Sequence, residues 1–334
     1  MNPAPIVCGM GTSIPEQVVT NDDLSEFLDT SDAWIRQRTG IRERRVVRPG
    51  TSTGDLAVLA AEGALKSAGS GEADLVILAT TTPDHPCPAT APDVAQRIGL
   101  TGVPAFDLSA VCSGFLYGLS CAAGFIRSGA AERVLLIGAD TYSTILNPTD
   151  RTTRAIFGDG AGAMVLRAGH PGEPGELAGV TLGSDGALRD LITIPEGGSR
   201  HPVGDELTAE GRYFTMRGKS VYRHAVQRMV ESATRACELA GWRLSEVDHL
   251  VAHQANARII SAVGERLRLP AERCAVNLDR LGNTAAASIP LALADAATAG
   301  ALRPGHRTLL TAFGGGATWG GAALTWPDIT PVAV

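Results

Sequence analysis

No stretch of this 334-residue chain reaches the roughly 18 consecutive apolar residues that a membrane-spanning helix needs. The N-terminus, Met1-Asn2-Pro3-Ala4-Pro5, has no charged leader running into a long apolar segment, so no signal peptide is expected. Lys and Arg never gather into a block and the formal charge is -6, which argues against nucleic acid or a membrane surface as partner. The cysteines, at 8, 87, 112, 121, 237 and 274, include no Cys-x-x-Cys pair. Scattered thiols fit a reduced, cytoplasmic protein better than a disulfide framework or a zinc site. His85 and Cys87 bring no further ligand with them, so no metal is expected. Gly158, Gly160 and Gly162 have the wrong spacing for a dinucleotide fingerprint and lead into an apolar strand rather than a helix. A nicotinamide cofactor is not expected either.

What the chain does contain is a repetition of itself. A periodic apolar helix from about Leu56 to Ala68 is followed by strand-like Asp74–Ala79, a helical stretch near Asp93–Ile98, and the short strand Ala105–Leu108. A helix from about Ser113 then leads to the strand Arg133–Gly138 and to Phe157–Leu166. The same order returns roughly 170 residues later. It consists of a helix Val221–Ala240, a strand Asp248–Ala252, a helix Arg258–Leu267, the strand-like Ala275–Leu278, another helix, then Arg307–Thr311 and Phe313–Gly320. Strands alternating with helices predict parallel α/β sheets covered by helices. The natural division falls between residues 1–170 and 171–334, with Gly169–Gly211, rich in Gly, Pro and charge, as a connection or surface excursion.

Ligands of parallel sheets bind beyond the carboxyl ends of the strands. The pattern puts Cys112, His253, Asn283 and the glycine run after Phe313 at such ends. Cys112 lies where a strand meets a helix, and a thiolate there is favoured by free backbone N–H groups and the helix dipole. A buried structural thiol is the competing reading. His253 sits in the polar run His253-Gln254-Ala255-Asn256 straight after an apolar strand; capping or core packing would explain it equally well. Asn283 in Gly282-Asn283-Thr284 also reads as a turn residue. Gly314-Gly315-Gly316 offers backbone donors unobstructed by side chains, which suits an oxyanion hole as well as a plain turn.

Taken in order, Asp107–Phe115 around Cys112, His253–Asn256, Gly282–Ser288 and Phe313–Gly320 resemble the beta-ketoacyl-acyl-carrier-protein synthase III family of the thiolase-like superfamily. Thr30–Ile35, Arg38–Ile41 and Thr149–Arg151 add to the resemblance, which runs from about Ile6 to Thr325. It implies a thiolase-like five-layered αβαβα fold from two duplicated halves, the first carrying the nucleophilic cysteine and the second His and Asn. It also implies a homodimer and a two-stage reaction. Cys112 would take the acyl group of an acyl-CoA, its own N–H and that of Gly315 holding the oxyanion. His253 and Asn283 would then assist decarboxylation of malonyl-acyl-carrier protein, with Phe313 shaping the space between.

The resemblance places Trp34 and Arg151 on either face of the coenzyme's adenine, Arg38 at its phosphates or base, and Gly218 and Asn256 along the pantetheine arm. Arg258, with Arg266 nearby, would dock the carrier protein, although Glu265 stands where a basic residue is frequent. Cys87 replaces a bulky residue of acetyl-specific relatives in the partner's acyl pocket and suggests a longer or branched primer. Coenzyme A enters only as part of a substrate, and no cofactor is expected. A related acyltransferase that passes its acyl group to an alcohol, amine or carrier protein without condensation carries the same motifs and is the alternative.

Overall fold

The computed structural model describes residues 3–202, 208 and 211–334. Five strands make up most of the first sheet: β1 (Ala4–Ser13), β2 (Leu75–Ala79), β3 (Ala105–Leu108), β4 (Arg133–Asp140) and β5 (Gly160–Gly169), in spatial order β1-β5-β4-β2-β3. The second sheet holds β6 (Leu177–Ser184), β7 (His249–Ala252), β8 (Arg307–Gly314) and β9 (Thr318–Thr325), in order β6-β9-β8-β7. The pairings match position by position. β1 and β5 run antiparallel as β6 and β9 do; β5 and β4 match β9 and β8; β4 and β2 are parallel, like β8 and β7. One strand breaks the separation of the halves, since β10 (Val332–Ala333) returns to pair with β1.

Five helices cover these sheets: α1 (Thr53–Ser67), α2 (Gly114–Arg127), α3 (Gly218–Leu239), α4 (Ala257–Arg266) and α5 (Ser288–Thr298). α2 touches strands of both sheets, and α5 touches β1 and β5 on one side and β7 on the other. Both helices are therefore buried between the sheets, which is why their sequences are apolar on most faces. Phe115, Leu119, Ile289 and Leu293 meet Leu136 and Leu310 there. On the outer face of the first sheet, Leu56, Ala60 and Ala64 of α1 pack on Ile137 and Val165. Outside the second, Val226 and Met229 of α3 and Ile260 and Val263 of α4 pack with Leu250 and Leu309. The result is five layers, αβαβα.

Two segments differ from the sequence expectation. Leu177–Ser184 lies in the presumed connection but is an edge strand. Gly179 in it is a packing device, because a Cβ there would fall 2.6 Å from the Ala236 carbonyl of α3. The rest of that connection includes residues 203–207 and 209–210, which lie outside the described residues. Ala275–Leu278, expected as a strand, makes only a bridge from Leu250 to Cys274 before turning into the short helix Leu278–Leu281. The buried Gln254 side chain supplies what a ladder would: its Nε2 donates to the Ala275 carbonyl at 3.1 Å and its Oε1 accepts from Asn277 N–H at 3.0 Å.

The first sheet meets α1 with almost no clearance. A Cβ on Gly11 would lie 2.2 Å from the Ala60 carbonyl oxygen and 2.2 Å from the Ala64 nitrogen, both backbone atoms. Gly11→Ala is therefore expected to lower stability by about 2–3 kcal/mol, read as a lower urea midpoint at unchanged slope.

Candidate active site

β3 ends one turn before Cys112, and the chain forms a 3₁₀ turn, Val111–Ser113, before entering α2. Val111 has φ 50°. A β-branched residue in the left-handed region is strained, and such strain persists only where the surroundings enforce it. Here the hydroxyls of Ser113 and Thr318 lie 2.7 Å apart. The first is 2.8 Å and the second 3.1 Å from the Ala110 carbonyl, while Thr318 also bonds the Gly315 carbonyl at 2.9 Å. The nucleophile turn and the glycine loop are thus tied together.

The second half repeats this turn. Ala285–Ala287 is a 3₁₀ turn that opens α5, and Ala285 has φ 47°. The two turns contact each other across the pseudo-twofold axis. Residues at equivalent strand ends differ in one telling way. Asp140, the last residue of β4, aims its carboxylate at the Ala286 N–H, 3.0 Å away. Its counterpart at the end of β8 is Gly314, where a Cβ would lie 2.9 Å from the nitrogens of both Cys112 and Ser113. The Cys112 N–H makes no backbone–backbone hydrogen bond among those described outside the helices and strands and serves only its own thiol, and no such bond is made by the N–H of Gly315. Sequence reading missed Asp140 and read Gly314 only as part of a donor-bearing glycine run; superposing the ends of the repeated strands would have exposed their equivalence.

Cys112 is 6% exposed. Burial, and then the Asp140 carboxylate, push its thiol well above the ordinary range, and its own backbone N–H only partly offsets them. This runs against the expectation of a helix-activated thiolate: at this depth desolvation outweighs what the helix start offers. Asp140 itself is raised to about 6 by burial, against the N–H groups of Ala286 and Thr81 and the hydroxyls of Thr82 and Thr80.

His253 follows β7, and its Nδ1 lies 2.6 Å from the hydroxyl of Ser288, the first residue of α5. With that hydroxyl donating to Nδ1, the ring proton sits on Nε2, free to be offered elsewhere. Burial lowers the imidazole to about 3, so it is neutral. Asn283 follows the helix Leu278–Leu281 rather than a strand. Its Oδ1 accepts from Ala285 N–H at 2.9 Å, which turns the amide NH₂ outward as a donor. His253, Asn283 and Cys112 are therefore all anchored to the two facing turns. Phe313 is buried inside β8, and the glycine run after it leaves the strand end as expected, Gly315 opening the turn that follows.

A cavity of about 640 Å³ leads to Asn283, lined also by Trp34, Arg38, Gly218, Tyr222, Asn256 and Arg258. The Arg38 guanidinium lies 4.6 Å and that of Arg151 5.3 Å from the Trp34 ring centre. Arg151 also pairs with Asp29 at 2.9 Å. A base stacked between Trp34 and Arg151 must part them. Asn256 caps α4: its Oδ1 accepts from Arg258 N–H and its Nδ2 donates to the Arg38 carbonyl, leaving one amide hydrogen for a ligand. Arg258 spends one guanidinium nitrogen on the Gln37 carbonyl. Arg266 is exposed at the end of α4, away from this cavity, and exposed Cys87 lines it no more than Arg266 does. Among the described residues no group of three or more His, Cys, Asp or Glu is placed to hold a metal, and no helix is long and apolar enough to cross a membrane.

Gly314→Ala should slow capture of an acyl thioester by Cys112 about a hundredfold, because the new methyl covers its N–H donor; single-turnover mass measurements check this. His253 also predicts an acid response. The unfolded imidazole takes a proton near pH 6.5 and the folded one only near 3, so its contribution to stability is lost as the pH falls between them. Asp140 acts in the opposite sense, contributing stability at low pH that is lost as the pH rises through about 6. The diagnostic is therefore a difference: His253→Gln should show a shallower fall in urea midpoint than the wild type between pH 6.5 and 4.

Residues 106–186 match the family described as 3-oxoacyl-[acyl-carrier-protein (ACP)] synthase III, and residues 237–326 match the C-terminal family of the same enzymes. Beta-ketoacyl-[acyl-carrier-protein] synthase III 5 of Streptomyces coelicolor is 59% identical, with 99% of each chain covered. The synthase III of Pseudomonas aeruginosa PAO1 is 51% identical over 98% of both. A crystal structure of a synthase III from Pseudomonas aeruginosa PAO1 superposes with a TM-score of 0.92 at 50% identity, covering 98% of this chain and all of that one. The chain, with its thiolase-like fold, belongs to the beta-ketoacyl-[acyl-carrier-protein] synthase III family of condensing acyltransferases.

Proposed function

We propose that this chain joins an acyl-CoA primer to malonyl-acyl-carrier protein by decarboxylative Claisen condensation, through an acyl thioester on Cys112. The observation that carries this reading is the meeting of the two strained turns. The turn carrying the thiol and its backbone donor touches the turn to which Asn283 is bonded, and His253 is bonded to Ser288 at the end of that second turn. In the first stage the Cys112 sulfur attacks the primer's thioester carbonyl, and the N–H groups of Cys112 and Gly315 receive the oxyanion. Because the thiol rests protonated, its proton leaves as the bond forms and ends on the departing coenzyme A sulfur. In the second stage the malonyl thioester loses carbon dioxide, and the electrons left behind form an enolate whose oxygen is held by His253 and Asn283. The enolate carbon attacks acyl-Cys112, giving the 3-ketoacyl carrier and a Cys112 thiolate that regains a proton from solvent. A neutral imidazole suits this role, since it donates without changing charge across the working pH range.

Trp34, Arg38, Arg151, Gly218 and Asn256 are assigned to coenzyme A, and Arg258 and Arg266 to the carrier protein. Exposed Cys87 is assigned to the acyl pocket of a second copy in a homodimer working in the cytoplasm, with room for a longer or branched primer. A priming ketosynthase of the R1128 polyketide pathway has the same fold at a TM-score of 0.91 and 33% identity, so the product could begin a fatty-acid or a polyketide chain.

Incubation with acetyl-, butyryl-, isobutyryl- and octanoyl-CoA should add the acyl mass to the Cys112 peptide and to no other, and Cys112→Ala should add none. With malonyl-carrier protein, the acylated enzyme should release carbon dioxide. His253→Ala and Asn283→Ala should keep acylation but lower that release at least a hundredfold. An acyl-Cys112 that transfers its group without carbon dioxide release would establish the non-condensing alternative instead.

A further inference from the structure

Arg44 is 1% exposed, the kind of position a charged side chain avoids. It lies in a two-stranded ribbon formed by Gln17–Thr20 and Glu43–Val46, opposite Val19. Its hydrogen-bond partners among the described residues are neutral oxygens. Nη1 donates to the Val19 carbonyl at 3.0 Å, and Nη2 donates to Asn21 Oδ1 at 2.8 Å and to the Ala155 carbonyl at 2.7 Å. The Asn21 amide is itself held, its Nδ2 donating to Asp32 Oδ1 and to the Ile41 carbonyl, each at 2.9 Å. The buried Arg44 Nε has no partner. Burial and then the neighbouring Arg154 lower the guanidinium to about 10, against Asp23 and Glu43, so it stays charged at neutral pH. A buried cation with no carboxylate bonded to it is costly to keep. What it holds is therefore informative.

Ala155 begins the segment on which Asn283 is hung. The Asn283 N–H donates to the Ile156 carbonyl at 2.9 Å, and the Gly158 N–H returns to the Asn283 carbonyl at 3.0 Å, bridging Phe157 and Asn283 in parallel. On its far side the same segment is tied to the ribbon, where Asp159 N–H donates to the Arg45 carbonyl at 2.8 Å. The fit is close. A Cβ on Gly282, whose φ is 71°, would lie 2.9 Å from the Arg44 Cβ and from the Ile156 carbonyl, and one on Gly158 would lie 2.2 Å from the Leu281 carbonyl. We propose that Arg44 is a positioning residue for the decarboxylation stage: by fixing Ala155 to the ribbon it holds the backbone from which Asn283 offers its amide. A guanidinium suits this task, because its planar fork reaches oxygens on separate segments at once, whereas a lysine brings a point charge. The Cys112 turn is anchored elsewhere, to the glycine loop through Ser113 and Thr318, so primer capture does not depend on Arg44. The proposal rests on the reading that Asn283 holds the enolate oxygen.

The test follows both stages in wild type, Arg44→Lys, Asn283→Ala and the double variant. Acylation of Cys112 by butyryl-CoA is read by intact mass, and the second stage by carbon dioxide release from malonyl-carrier protein. Arg44→Lys should acylate within about twofold of wild type, yet its maximal rate of carbon dioxide release should fall about tenfold with little change in KM. In the Asn283→Ala background the same substitution should alter release by less than about twofold, because the residue it acts through is gone. A merely structural role would instead give equal losses in both backgrounds, or in both stages, and either result would overturn the proposal. So would full release by a folded Arg44→Lys. Should a urea midpoint show that Arg44→Lys does not fold, Asn21→Ala, which loosens the guanidinium and keeps its charge, carries the same comparison. Its release should fall, and the fall should vanish in the Asn283→Ala background; undiminished release, or a fall that persists there, would overturn the proposal. Wild-type release by Asn283→Ala alone would overturn the role of Asn283, and this proposal with it.

Discussion

The site rests on the contact between two 3₁₀ turns, and that contact depends on what stands at the ends of β4 and β8. At one end the Asp140 carboxylate occupies the space beneath the Ala285–Ala287 turn and takes its Ala286 N–H. At the other, Gly314 packs so closely beneath Val111–Ser113 that a Cβ would fall 2.9 Å from the nitrogens of Cys112 and Ser113, and it brings no side chain to bond them. The same backbone geometry thus yields a capped turn in one half and an open one in the other. The capped turn is rigid and orients Asn283 through Ala285; the open turn keeps a backbone donor for developing charge. A duplicated fold would otherwise produce two equal turns and no division of labour.

Burying a carboxylate next to a nucleophile has an electrostatic consequence. Asp140 and desolvation both oppose a resting thiolate at Cys112, and the same desolvation keeps His253 uncharged. Cys112 and His253 are therefore uncharged before substrate arrives, and the catalytic means at the reacting atoms are oriented dipoles: two backbone N–H groups, an imidazole N–H and an amide. Dipoles held by strained backbone need no reorganisation when charge appears, which is the condition under which such donors are most effective. The strain at Val111 and Ala285 is sustained by the inter-sheet core behind it, where α2 and α5 are clamped on both faces.

Most of the layer order was legible in the sequence because hydrophobic periodicity marks helices and strands directly, and because the pattern occurs twice. Cys112, His253 and Asn283 were legible as polar residues interrupting apolar elements. What could not be read depends on side chains replacing backbone, or the reverse. Gln254 stands in for a missing strand partner, so Ala275–Leu278 carries a strand's composition without its ladder. Gly179 looks like a loop residue and is a close contact between β6 and α3. The thiol's environment was misjudged for a similar reason: a helix start is visible in sequence, but the depth of burial and a carboxylate from β4 are not.

Asp140 also ties the two halves together. Asp140 gathers donors from the loop after β2, namely Thr81 N–H and the hydroxyls of Thr80 and Thr82, as well as from Ala286. Satisfying that carboxylate fixes the Thr80–Thr82 segment to the end of β4. Tyr142, two residues beyond Asp140, is positioned by the same strand end. The group that organises the Asn283 turn therefore also holds the loop after β2, and a change at Asp140 would disturb both together. In that sense acylation and condensation, though separate in time, share one structural support.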